Sequence, residues 1–258
     1  MDVDAYLGRI GVMGPVSADA RGLWKLHRAH LEAVPFENLS IHLGEDISLT
    51  SEALFDKVVR RRRGGFCYEL NGLFAELLEA LGFAVERVGA RVHGGGRLGP
   101  PFDHLALVVT APGGDGPWVA DVGFGRHSVE PLDFRSRQGQ RDRGGVFTLI
   151  DLPGGDVDVA VDGVPQYRIE RRARELRDFG PTCWWHATSP ESHFGRSIVC
   201  SRLEGDGRVS LSGRTLIRTD GDGRRTDTVL DSDEQVLAAY REHFGIVLSR
   251  VPRVVRPA

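Results

Sequence analysis

The chain has 258 residues, a formal net charge of −3 and three cysteines. That length can bury a sizeable core, as one large domain or two to three small ones. The near-neutral charge gives no electrostatic ground for a nucleic-acid partner. The odd, sparse cysteine count excludes a disulfide framework and fits a reducing compartment. At the N-terminus, acidic residues stand where a secretory signal needs a basic segment, and no apolar segment follows. No stretch approaches the roughly 18–20 apolar residues of a membrane span. The expectation is a cytoplasmic protein.

The first third reads as helical. Leu23, Leu26, His30, Leu31 and Val34 recur near the 3.6-residue period until Pro35 stops the run. A second helix is expected from the Thr50–Ser51 cap through Arg63, with Leu54, Phe55, Val58 and Val59 as its apolar stripe. A third begins at Cys67, places Leu70, Leu73, Phe74, Leu77, Leu78 and Leu81 on one face, and stops at Gly82. Beyond Gly82 the texture changes to short β-rich runs at 84–92, 104–110 and 117–124, separated by Gly/Pro-rich connectors. This is the pattern of antiparallel strands. Further strands are expected at 145–152, 157–162 and 166–173, and a strand pair at 197–203 and 208–219. Residues 181–194 read as loop and short helix. A last helix runs to Gly245, with Asp231 and Glu234 in capping-box spacing.

Cys67 lies in RRRGGFCYELNG, Arg61–Gly72, where a glycine loop becomes a helix. Free N–H groups and the helix dipole at such a position favour an anion and lower a thiol pKa. Gly64 and Gly65 allow a sharp turn and the close approach of a substrate. A thiolate nucleophile is useful only if some group takes its proton. His104, opening a strand just after a Pro-rich loop, is the candidate base. Asp121 sits among apolar strand residues, where a carboxylate needs a partner, and is the candidate orienting acid. If the 104–109 and 118–124 strands pair as neighbours, His104 and Asp121 can meet. Cys, His, Asp is one of several chain orders that build this geometry. Each residue also has a plainer reading. A lone cysteine at a helix start is more often a packing residue, and a strand aspartate can simply end a sheet. Cys183, beside two tryptophans, and Cys200, in an apolar strand, read as structural.

RGGFCYELNG, VPFENL (Val34–Leu39), FDHLALVV and DVGFG occur in the order and at the spacing of the arylamine N-acetyltransferases, and SPESHF and LSGR are also similar. The chain resembles that family, in its prokaryotic type, over nearly its whole length. The resemblance implies an α+β fold in three parts. These are an N-terminal helical domain with the nucleophile (1–84), a central antiparallel β-barrel with the His and Asp (85–185), and a C-terminal α/β lid (186–258). The helix–barrel core would resemble those of cysteine proteases and transglutaminases. It implies Cys67, His104 and Asp121 as a catalytic triad, and Phe36, Phe124 and Phe194 as walls of the acceptor pocket. Gly123, Gly125 and Arg126 join the substrate-binding set. Many relatives carry a second glycine where Arg126 stands; an arginine there can meet acyl-CoA phosphates, narrow the mouth or point to water.

The implied reaction moves an acetyl group from acetyl-CoA, the co-substrate, through a cysteine thioester to an arylamine, hydrazine or related amine, with no metal. Two alternatives use the same triad: macrolactam closure that releases a polyketide chain, and hydrolysis with water as acceptor. Other signals read more plainly. Arg60–Arg63 is expected to neutralise the end of its own helix rather than grip coenzyme A phosphates. Gly94–Gly96 reads as a hairpin loop, since no strand–glycine loop–helix fingerprint follows. Cys183 and His186 make half a zinc spacing without a second pair. Trp184 and Trp185 are expected to pack where barrel and lid meet.

Overall fold

Short carboxylates start the first two helices. Asp2 accepts the Ala5 N–H ahead of α1 (Val3–Arg9), and Asp19 accepts the Gly22 N–H ahead of α2 (Ala20–Ala33). The computed structural model describes residues 1–254. After α2 the chain turns extended at Val34, as a residue before proline must. It then forms a two-residue strand, β1 (Phe36–Glu37). Two short helices follow, α3 (Leu39–Leu43) and α4 (Ser51–Phe55). The expected helix over 50–63 is not continuous: α4 passes into a π-helical turn at Asp56–Arg60.

Of the basic run, Arg60 lies in the last turn of this segment, as expected, and Arg63 does not. Arg60 and Arg61 make exposed pairs with Glu52 and Asp56. Arg63 turns inward, 2.9 Å from Glu37 and 3.1 Å from Glu45. The carbonyls of Val58 and Arg62 are met instead by Arg9 of α1. A second buried pair lies close by, Lys57–Glu69 at 2.6 Å. Burial alone would raise the Glu37 carboxyl, but Lys57 and Arg63 outweigh it and hold the group below its ordinary value. Arg63→Met therefore strands a buried carboxylate. The expected loss is about 3–5 kcal/mol, read as a lower midpoint in urea denaturation.

α5 (Cys67–Ala80) is the central helix, buried along nearly its whole length. It ends as expected, with Gly82 at φ +98°. A long antiparallel sheet wraps beside it. Its strands are β2 (Ala84–Gly94), β4 (His104–Thr110), β5 (Trp118–Ala120), β6 (Leu132–Asp133), β7 (Gln140–Asp142), β8 (Gly145–Asp151), β9 (Val157–Val161) and β10 (Val164–Arg174), with β3 (Arg97–Leu98) folded onto β2. The order is β6-β5-β4-β2-β10-β9-β8-β7. Gly95 and Gly96, both at positive φ, make the two-residue turn between β2 and β3. The sheet curls into a nearly closed barrel around Val108, Val119, Phe147, Val159 and Tyr167. Strand β4 is buried on both faces. Ala106 and Val108 point into the barrel, while Leu105, Leu107 and Val109 pack in the cluster that holds α5. His104, in phase with Ala106, stands at the barrel's rim.

The chain leaves the barrel through α6 (Gly180–Thr188) and builds a second sheet in the order β1-β11-β12-β13-β14. Its new strands are β11 (Val199–Glu204), β12 (Gly207–Ser212), β13 (Thr215–Thr219) and β14 (Arg225–Val229). The expected strand over 208–219 is thus two, parted at Gly213, whose φ is +57°. Helix α7 (Asp233–Phe244) covers this sheet, with Val236, Tyr240 and Phe244 against Cys200, Val209 and Leu211. Its cap falls one residue later than expected: Ser232 accepts the Gln235 N–H, and the Gln235 side chain accepts the Asp231 N–H. Trp184 does not pack at the junction; it is 68% exposed, because Cys183 and His186 take the inward face of α6.

Candidate active site

Cys67 is the first residue of α5, and the chain before it is threaded through a tight space. A side chain on Gly64 would fall 1.8 Å from the Pro35 carbonyl, and one on Gly65 would fall 2.6 Å from Glu69 Oε2. Glu69 uses that oxygen to accept the Phe66 N–H and close the helix start. The Cys67 N–H, in the first turn, has no acceptor within the helix.

His104 is held by the loop before it. Asp103 accepts the Val92 N–H, and the Tyr68 hydroxyl donates to the Phe102 carbonyl at 2.7 Å. Asp121 directly follows β5, which pairs with β4. The two side chains meet: His104 Nε2 lies 2.7 Å from Asp121 Oδ2, both fully enclosed. An ionised carboxylate only accepts, so Nε2 carries the proton of this bond and Nδ1 is the nitrogen left for other work. Asp121 Oδ1 accepts from Asn71 Nδ2 at 2.8 Å and from the Gly123 N–H at 3.0 Å. Burial would raise this carboxyl, but the charge and hydrogen bond of His104, with His127 and Asn71 behind them, hold it far below the ordinary range.

Asn71 escapes the sequence reading. It sits one turn after Cys67 on the same face of α5, and its amide is fully used. Nδ2 also donates to the Leu105 carbonyl, and Oδ1 accepts the Val122 N–H. The one available signal is its spacing of four from the cysteine. Gly123 belongs to the site for a steric reason: a Cβ there would sit 2.7 Å from Cys67 Cα. The loop that follows Asp121 therefore lies directly on the cysteine.

The aromatic residues divide into two groups. Phe124 stands edge-on to the His104 ring at 5.1 Å and also meets Tyr167. Phe36 and Phe194 lie 6.4 Å apart, and Phe194 is 5.3 Å from Phe66, the neighbour of Cys67. Gly125 faces the Phe36 ring. Arg126 is exposed. A groove of about 700 Å³ elsewhere, bordered by Ile41, Leu49, Arg177 and Trp184, holds none of these groups.

One electrostatic expectation is overturned. Cys67 is not a thiol with a lowered pKa: burial pushes it well up, the Leu105 N–H pulls it only partly back, and the Asp121 charge adds to the rise. Desolvation outweighs the helix dipole here. Such a thiol ionises only by handing its proton to a neighbouring base whose cationic form is stabilised. Among the described residues no group of three His, Cys, Asp or Glu side chains is placed to hold a metal ion. His186 is occupied with Asp103, 3.1 Å away. Nor is any described helix long and apolar enough to cross a membrane.

A buried cysteine at a helix start, under the loop that follows an aspartate bonded to an imidazole, suits an enzyme that carries an acyl group on sulfur. A sequence model of the N-acetyltransferase family matches residues 19–253. The arylamine N-acetyltransferase of Mycolicibacterium smegmatis is 37% identical over 257 residues, covering 96% of this chain and 93% of that protein. Its solved structure superposes with a TM-score of 0.88 over 95% of this chain and 92% of that one. The Mycobacterium marinum arylamine N-acetyltransferase, solved in complex with CoA, has a TM-score of 0.85 at 33% identity, covering 95% of this chain and 93% of that one. The chain belongs to the arylamine N-acetyltransferase family.

Proposed function

We propose that the protein transfers an acetyl group from acetyl-CoA to arylamines and hydrazines, with Cys67 as nucleophile, His104 as base and Asp121 as orienting acid. The observation that carries this reading is the enclosed 2.7 Å bond between His104 and Asp121, under a loop that lies on Cys67. The Cys67 thiol gives its proton to His104 Nδ1, and Asp121 stabilises the resulting imidazolium. The thiolate attacks the thioester carbonyl, and backbone N–H groups, including that of Cys67, hold the oxyanion. The C–S bond to coenzyme A breaks, its sulfur takes the proton from His104, and an acetyl-cysteine remains. The amine then attacks this second thioester. His104 takes the amine proton, the bond to Cys67 breaks, and the amide leaves. Both half-reactions suit sulfur, since a thioester is exchanged for a thioester before the amide forms. The coenzyme A complex of the Mycobacterium marinum relative supports the donor. The mycobacterial relatives are arylamine N-acetyltransferases, which leaves macrolactam closure without support.

The test is a screen of acetyl-CoA and longer acyl-CoAs against anilines and hydrazides. Beyond one equivalent per enzyme, coenzyme A release should depend on the amine and match amide formed. Continued release without amine, beyond the single equivalent that acetylates Cys67, would indicate hydrolysis instead. Reaction with long-chain thioesters alone would replace the reading with macrolactam closure. In the same screen Phe124→Ala is expected to relax the preference for short acyl groups and flat acceptors. The cost to small acceptors should be about tenfold in kcat/KM, the scale of one lost apolar contact.

A further inference from the structure

The loop from Asp121 to Val129 is fastened at both ends by one side chain of α2. His27 is fully buried. Its Nε2 accepts the Asp121 N–H at 3.2 Å, and its Nδ1 lies 2.9 Å from the Val129 carbonyl oxygen. A carbonyl can only accept, so Nδ1 carries the proton; an N–H can only donate, so Nε2 is bare. The partners thus assign the tautomer, and neither nitrogen is spare. Phe74 of α5 packs edge-on to the ring at 6.3 Å. Burial pushes the imidazole down to about 4, against opposing pulls from Val129 and Asp121, so it stays neutral near neutral pH. The titratable groups that face it are Asp121 from the loop, His30 from its own helix and His127 from the loop's far end.

The Asp121 carboxylate is fixed by His104, Asn71 and Gly123. Those bonds orient its oxygens, while the backbone sets where the carboxylate is presented from. His27 holds that backbone, and by gripping Val129 as well it closes the base of the loop that carries Gly123, Phe124 and Gly125. We propose that His27 is a positioning residue for acetyl transfer, holding Asp121 in register with His104 and closing the loop that walls the pocket. The proposal rests on the reading of His104 as base and Asp121 as its orienting acid. Misplacing a reacting group by about 1 Å can cost about 10²-fold in rate, which sets the scale of the effect.

Three substitutions separate the two contacts. A glutamine amide reaches as far as Nε2 and an asparagine amide only as far as Nδ1. His27→Gln therefore keeps an acceptor for the Asp121 N–H, His27→Asn keeps a donor for the Val129 carbonyl, and His27→Phe fills the space with neither. Each variant is purified as the full chain and checked for folding by circular dichroism at 25 °C. The readouts are kcat and acceptor KM, the pH profile of Cys67 alkylation by iodoacetamide, and the low-field proton resonance of the His104–Asp121 bond. His27→Gln should keep the resonance and stay within about threefold of the parent kcat. His27→Asn and His27→Phe should broaden or lose the resonance, shift the alkylation profile, and lower kcat by about 10- to 100-fold, with a smaller change in KM. A role in folding alone would lower thermal stability and leave resonance and profile unmoved. The proposal is overturned if folded His27→Asn and His27→Phe behave as the parent, or if His27→Gln falls as far as His27→Phe. Should His27→Phe fail to fold, the Gln–Asn contrast decides. If the parent enzyme takes no acetyl group on Cys67, the triad reading fails, and the resonance still reports whether His27 holds Asp121.

Discussion

Cys67→Ala is expected to remove acetyl transfer almost entirely, by about six orders of magnitude in kcat if the nucleophile acts as part of a unit. The parent enzyme, incubated with acetyl-CoA alone, should gain one acetyl group on the tryptic peptide that contains Cys67. The alanine variant should gain none while folding normally, because the site already excludes water and loses only a sulfur atom. The result is informative because two other cysteines are present as internal controls. Cys183 and Cys200 are both buried, and burial raises both thiols, Cys183 to about 12. Cys183 is the stricter control, since it lies three residues from His186 on α6, an imidazole held 3.1 Å from Asp103. Acetyl found on either of them, with Cys67 unlabelled, would sink the assignment.

Asp121→Asn should leave the side chain's shape and change its chemistry. The carboxylate accepts from His104, Asn71 and the Gly123 N–H. An amide can accept on one atom only. Its NH2 group would face either His104, forcing the opposite tautomer, or two donors that it cannot satisfy. The expected loss is about 10³–10⁴-fold in kcat, with stability reduced because a buried donor is left without an acceptor. The sign of the pH effect follows from the lowered carboxyl. The stabilisation that Asp121 contributes is complete above the ordinary carboxylate range and disappears as acid protonates the group in the folded state. The aspartate and asparagine forms should therefore converge in stability as the pH is lowered, which urea denaturation across an acid series would measure. A well-folded Asp121→Asn enzyme of near-parent activity would remove Asp121 from the mechanism.

Much of the frame was legible because its signals are local. The periodic apolar face after Cys67, the glycine at 82 and the β-rich runs separated by glycine and proline each report on a few neighbouring residues. Helix α5 and strands β2, β4 and β8 to β10 stand close to where those patterns place them. Strand β1 was not legible, since two residues have no period and Pro35 reads only as a helix stop. The π turn at 56–60 was hidden for a different reason: the apolar stripe of Leu54, Phe55, Val58 and Val59 looks the same for a regular helix, and the buried Lys57–Glu69 pair within it is a long-range contact. In the site, the cysteine, histidine and aspartate are conspicuous by residue type. Asn71 and His27 are ordinary members of amphipathic helices until the loop at 121–129 is laid against them. Burial raises the Cys67 thiol against the expectation, because the helix dipole can be read in sequence and the depth of burial cannot.

Strand β1 has one more consequence. Phe36 and Glu37 are paired in register with Ser201 and Cys200 of β11, so the proposed aromatic wall at Phe36 is the edge of the C-terminal sheet. Glu37 in turn is bolted to Arg63, four residues before Cys67. The last third of the chain is therefore no detachable cover hinged over a finished cavity. Two hydrogen-bonded residues and one ion pair link that sheet to the ground on which Cys67 stands. β12 and α7, remote from Cys67 in sequence, are thus joined through β11, β1 and one buried ion pair to the turn that precedes it.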